Sequence, residues 1–186
     1  QFYASVEFNP QNAWWDDFAA LNTYVARVQS FLQAGRPDTD VLVYYPFYES
    51  LMVRGTSLLS HFGGAAPPSR GTTFEKAAET LQAAGFTYDF VSDRQLRRTR
   101  TETGRVTTEG GMSYQMVVLP ESRYVPLETV LQILELARAG ATVVSLGSWP
   151  SDVSGLADLD ARRARLKAAI DAVSFGPADG EGIREA

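Results

Sequence analysis

Near-continuous apolar runs constrain this chain more than any other feature. The first is Asp40-Val-Leu-Val-Tyr-Tyr-Pro46, and it is followed by Tyr114-Gln-Met-Val-Val-Leu-Pro120 and Ala141-Thr-Val-Val-Ser-Leu146. A β-branched and aromatic run without polar alternation offers no face to water, so each of these segments reads as a strand buried on both sides. Phe86-Thr-Tyr-Asp-Phe-Val91 reads as a further strand of the same set.

Helical spacing fills the intervals. Phe18, Leu21, Val25, Val28, Phe31 and Leu32 recur with helical period, Asp16 and Asp17 complement the dipole in the first turn, and Gly35 with Pro37 stops the helix. Thr73 is placed to cap a second helix that runs to Ala84, with Phe74, Ala77, Ala78 and Leu81 inward and Gly85 as its stop. A short helix is expected over Asp93 to Arg98, and an exposed edge hairpin over Thr99 to Ser113, turning at Thr103-Gly104. Pro126 to Ala139 reads as a helix with proline in its first turn and Gly140 after its end. Leu159, Leu166, Ile170 and Val173 mark the buried stripe of a last helix, after which the chain frays. Phe47 to Arg70 is a loop long enough to be functional, with a helical turn around Leu51 to Leu59. Strands alternating with helices specify a parallel sheet covered on both faces. The expected architecture is α/β, a flavodoxin-like three-layer sandwich with a mostly parallel sheet.

Composition narrows the chemistry. The 186 residues are 45% apolar with a formal net charge of -5, which supports one sizeable core and disfavours nucleic acid or an anionic membrane as partner. No apolar run approaches the roughly 20 residues that cross a bilayer. The chain opens at Gln1, which suits a processed or excised protein. With no cysteine, thiol catalysis, disulfides and thiolate metal sites are excluded, and with one histidine so is a histidine metal cluster. An oxygen-ligand calcium site is left open; otherwise no cofactor is expected.

Ligands of such a sheet collect beyond the carboxyl ends of its strands, so Tyr45-Pro-Phe-Tyr-Glu49, Ser92-Asp93, Pro120-Glu121-Ser122 and Gly147-Ser-Trp-Pro150 are the segments to inspect. None carries a glycine-rich phosphate loop, and the bulk of Phe47 and Tyr48 opposes close backbone approach to a phosphate. A serine hydrolase would need a nucleophile elbow and a histidine; there is no elbow, and His61 reads as a solvated loop residue. Glu49 and Glu121 both follow strand ends and have the residue type that glycoside chemistry needs, although a helix start and a connecting loop account for them as well. The basic run Arg94, Arg97, Arg98 and Arg100, interleaved with Asp93 and Glu102, reads as a solvated face. Sugars stack on aromatic rings and hydrogen-bond to amides and carboxylates, which makes Asn12, Trp14, Trp15, Tyr48, Glu49 and Trp149 the candidate carbohydrate contacts. Trp14 and Trp15 equally suit a packed domain boundary, and Trp149 a loop anchor.

These segments in this order, Asn9-Pro-Gln-Asn-Ala-Trp-Trp15, Tyr24-Val-Ala-Arg-Val-Gln29, Leu32-Gln-Ala-Gly35 and the strands from Asp40, Phe86, Tyr114 and Ala141, resemble the family 106 glycoside hydrolases. Those are α-L-rhamnosidase-like enzymes, and the similarity lies where the catalytic barrel hands over to a class I glutamine amidotransferase-like domain. A similar domain follows the barrel in family 42 β-galactosidases, where it serves trimerisation. The resemblance implies that residues 1–15 are the end of a catalytic barrel and its linker, 16–178 the α/β domain and 179–186 a frayed tail. It also implies that the acid and base carboxylates lie outside this chain, which would be an accessory, non-catalytic domain acting on plant or microbial polysaccharide. The partners implied are the parent chain's barrel, carbohydrate and further copies of the protein, in a periplasmic or secreted setting. An independent carbohydrate-binding or oligomerisation module is the alternative reading.

Overall fold

The computed structural model describes residues 9–52 and 71–173. They form two compact units that divide after Pro37.

The first unit is a turn of 3-10 helix, Trp15–Asp17, continued by helix α1 over Phe18–Ala34. Among the described residues, two ring contacts join its start. Trp15 stacks on Phe18 with centroids 5.5 Å apart, and Trp14 meets the same ring edge-on at 5.7 Å. The helix and its stop at Gly35 match the periodicity, yet none of its residues is buried. Phe31 and Leu32 are 76% and 73% exposed, and Leu21, Tyr24, Val25 and Val28 lie exposed with them.

The second unit is built on four parallel strands. These are β1 (Val41–Tyr44), β2 (Tyr88–Val91), β6 (Met116–Pro120) and β7 (Thr142–Leu146), in the order β2-β1-β6-β7. Val43 stands between Phe90 of β2 and Val118 of β6 in register. Alternation then sends Leu42, Tyr44, Val117 and Leu119 to one face, and Val41, Val43, Met116 and Val118 to the other. The first face packs on α4 (Asp93–Leu96), α5 (Leu127–Arg138) and α6 (Leu159–Asp171) through Leu96, Val130, Ile133, Leu134 and Leu166. The second packs on α3 (Thr73–Ala83) through Phe74 and Leu81. The expected three-layer α/β sandwich with a parallel sheet is therefore the fold.

Three details differ from the sequence reading. Thr72, not Thr73, caps α3: its backbone is extended and its hydroxyl accepts from Glu75 N–H at 3.3 Å. A helix α2, Phe47–Met52, starts directly after β1, ahead of the turn expected around Leu51, the rest of which lies outside the described residues. The polar stretch after Thr99 does make a hairpin, β3 (Arg100–Glu102) and β4 (Arg105–Thr107), turning through positive φ at Thr103 and Gly104. It is not an edge of the parallel sheet, however. It joins β5 (Ser113–Tyr114) in a separate antiparallel sheet that buries Val106 and Tyr114. The run from Tyr114 to Pro120 is split because Gln115 donates both its backbone N–H and its side-chain amide to Asp40.

Buried hydroxyls tie the layers. Tyr44 donates to Asp93 Oδ1 at 2.8 Å and Thr129 of α5 donates to the same oxygen at 2.7 Å, so one carboxyl group joins β1, α4 and α5. Burial, with Asp93 beside it, pushes the Tyr44 phenol well above its ordinary range. Tyr114 is pushed up to about 12, chiefly by burial and also by the hydrogen bond it donates to Asp89 of β2. Tyr44→Phe should lower unfolding free energy by about 1–3 kcal/mol, the cost of leaving a buried acceptor short of its donor. A urea midpoint that does not move would refute the role given to this bond.

Candidate functional site

The four parallel strands reverse direction of growth between β1 and β6, and this is where open α/β sheets place their ligands. A cleft of about 670 Å³ opens there. Glu49 enters it from α2, just after β1, and Glu121 and Arg123 from the segment after β6. Ser148 and Trp149 enter from the segment after β7, and Thr72 and Thr73 from the start of α3.

Local hydrogen bonds fix these groups. Glu49 Oε2 accepts the backbone N–H of Tyr124 at 2.7 Å, and Glu121 Oε1 accepts that of Ser148 at 3.4 Å. The Thr73 hydroxyl donates to the Glu121 carbonyl at 2.6 Å, so the threonine that sequence alone placed at the cap instead joins α3 to the end of β6. Gly147 has φ +116°, and a Cβ there would stand 2.9 Å from the Glu121 Cβ. Its missing side chain is the space into which Glu121 folds.

The outer wall is a second pairing. Ser151 and Asp152 donate their N–H groups to the Arg123 carbonyl at 3.2 and 3.0 Å, and Tyr124 bridges Asp152 as parallel strands do. The Arg123 guanidinium lies 5.0 Å from the Tyr124 ring centroid. Arg163 of α6 grips Asp152 with both arms, at 2.8 and 2.7 Å. These bonds to Arg163 are the main cause holding the Asp152 carboxyl below the usual carboxylate range, helped by the Val153 N–H and the charge of Arg123. Arg162 closes the next turn by donating to the carbonyls of Ser154, Gly155 and Ala157.

Glu49 and Trp149, two of the predicted contacts, thus meet in one cleft, joined by Glu121. Trp149 also packs against the core, so the anchoring expected of it is real. Tyr48 is partly exposed, contacts the ring of Phe47 at 5.7 Å and is not part of the lining. Asn12, Trp14 and Trp15 belong to the first unit. Sequence reasoning missed Arg123, Ser151 and the start of α3; Arg123 lies one residue beyond a segment already singled out, whereas nothing local marks Ser151. Among the described residues no cluster of three metal-ligating side chains forms, and no helix is long and apolar enough to cross a membrane.

A family profile described as alpha-L-rhamnosidase, glycoside hydrolase family 106, matches residues 2–176. The chain belongs to this rhamnosidase family. A Formosa agariphila protein bearing a provisional beta-glucuronidase name is 28% identical over 169 residues, which are 91% of this chain and 12% of that protein. The solved rhamnosidase from Novosphingobium sp. PP1Y superposes with a TM-score of 0.56 at 20% identity, over 88% of this chain and 14% of that one. The beta-galactosidase from Bifidobacterium adolescentis gives a TM-score of 0.42 at 16% identity, over 77% of this chain and 58% of that one. The chain thus spans about an eighth of the curated relative's length and about a seventh of the rhamnosidase's.

Two outcomes follow for this rhamnosidase-family chain. Gly147→Ala should cost about 1–3 kcal/mol from backbone strain and should displace Glu121, seen as a shifted Ser148 amide resonance; an unaltered resonance and midpoint would contradict the packing argument. Because the Asp152 pKa is depressed on folding, its contribution is fully present above the unfolded pKa of about 3.9 and is lost as pH falls through the folded value. Asp152→Asn should therefore flatten the stability profile below about pH 4, in acid titrations monitored by circular dichroism.

Proposed function

We propose that this chain is an accessory, non-catalytic domain of a longer rhamnosidase-family glycoside hydrolase, one that supports a catalytic barrel or its oligomerisation and presents a carbohydrate-contacting cleft. The observation that carries the reading is coverage: the match takes in nearly the whole chain yet only 12% and 14% of the relative and the solved rhamnosidase. On this reading residues 1–15 close the barrel and link it to the α/β domain. A further observation supports it. The apolar stripe of α1 is uncovered, as a helix made to pack against another domain would be. Among the described residues, the partners of both cleft carboxylates are backbone N–H groups.

The cleft itself has sugar chemistry. Trp149 offers a ring face, Glu49 and Glu121 accept from hydroxyls, and Arg123 and Ser148 donate. The presence of these groups in one cleft also favours the second reading, an independent carbohydrate-binding module.

The test compares this chain with its full reading frame. The full-length product should release sugar from an aryl α-L-rhamnoside and this chain alone should not. In the full-length enzyme Glu49→Gln and Glu121→Gln should lower kcat by less than about tenfold, whereas loss of a true acid or base costs about 10²–10⁴-fold. Turnover by the isolated chain, or a loss of that larger size in either variant, would overturn the non-catalytic assignment. Absence of a barrel-encoding region upstream in frame would leave only the independent module.

A further inference from the structure

The segment between the strand-end cleft and α6 is held from one turn of that helix. Arg163 takes the Asp152 carboxylate at the start of the segment. Arg162, whose side chain leaves the helix roughly 100° away, takes the backbone further on. Its Nε donates to the Ala157 carbonyl at 2.7 Å, Nη1 to that of Ser154 at 2.5 Å and Nη2 to that of Gly155 at 2.7 Å. The arginine is itself fixed, because its own N–H bonds the Asp158 carbonyl at 3.0 Å where α6 begins.

Backbone carbonyls gathered from a few neighbouring residues around one cation are how loops coordinate metal ions. Dipoles aimed at a common centre repel one another unless positive charge lies between them. The backbone of this turn is also costly, since Gly155 has φ +83° and Asp158, a residue with a side chain, has φ +47° without a side-chain cap. Packing does not hold the tip, because Leu156 is 88% exposed. The guanidinium therefore holds it, and its planar fork reaches three acceptors at once, which a point-charge ammonium on a flexible stem does not. On the other side the turn runs through buried Val153, whose N–H bonds Asp152, into Ser151, which lines the cleft.

We propose that Arg162 is a positioning residue for the strand-end cleft: its guanidinium permanently fills a carbonyl cradle and thereby sets the wall that carries Ser151. The consequence for carbohydrate rests on the cleft reading above, whereas the placement of the wall does not.

Chemical rescue in the 186-residue chain tests this. Arg162→Gly should lower the urea midpoint by roughly 1 M and displace the Ser151 and Asp152 amide resonances. Millimolar methylguanidinium should restore both, and methylammonium at the same concentration neither. Arg165→Gly removes an exposed arginine from the same helix at the same glycine cost, and should respond to neither cation. Should Arg162→Gly not fold, Arg162→Lys carries the test, because it keeps the charge without the fork and should displace the same amides. An unmoved Ser151 amide, equal rescue by the two cations, or an equal methylguanidinium response in Arg165→Gly would each overturn the proposal. No readout involves a sugar, so these failures are distinct from a failure of the cleft to bind carbohydrate, which glycan titration of the unaltered chain reads.

Discussion

Burial of β1 is the constraint on which the second unit depends. All of its residues, Val41 to Tyr44, are buried, so no water reaches its backbone and its N–H and C=O groups must be satisfied by neighbours. It is satisfied by β2 on one side and β6 on the other, and this fixes the register of the first three strands at once. The two faces of β1 must then be covered separately, by α3 and by the α4 to α6 layer. The hydroxyl at its last residue reaches Asp93, which sets where α4 begins. Since β1 and β6 are adjacent while their following segments diverge, the cleft at their ends is a product of the same arrangement.

The sequence makes the strands and long helices legible because hydrophobic period is a local property. Phe74, Ala77, Ala78 and Leu81 could be assigned as the inward face of α3 before any partner was known, and they are buried. What stayed hidden was decided by partners distant in sequence. Nothing local distinguishes Thr72 from Thr73 as a cap; the choice follows because Thr73 is engaged by the Glu121 carbonyl, 48 positions away. Likewise Gln115 interrupts an apolar run only because Asp40, 75 positions earlier, takes its amide.

The lining of the cleft divides in the same way. Glu49, Glu121 and Trp149 could be nominated together because strand ends are predictable and the switch point follows from strand order. Arg123 and Ser151 could not, since their place in the cleft is set by the pairing of the segment after β6 with the one after β7.

Gly147 and Glu121 illustrate an asymmetry in how such a cleft can diverge. The glutamate occupies space that exists only because position 147 lacks a Cβ, and the backbone there has a φ of +116° that L side chains rarely adopt. Shortening residue 121 leaves the glycine undisturbed, whereas enlarging residue 147 collides with 121 and strains its own peptide. Substitution at this end of the sheet is therefore asymmetric: residue 121 can be exchanged alone, whereas a side chain at position 147 requires both its own backbone and residue 121 to move.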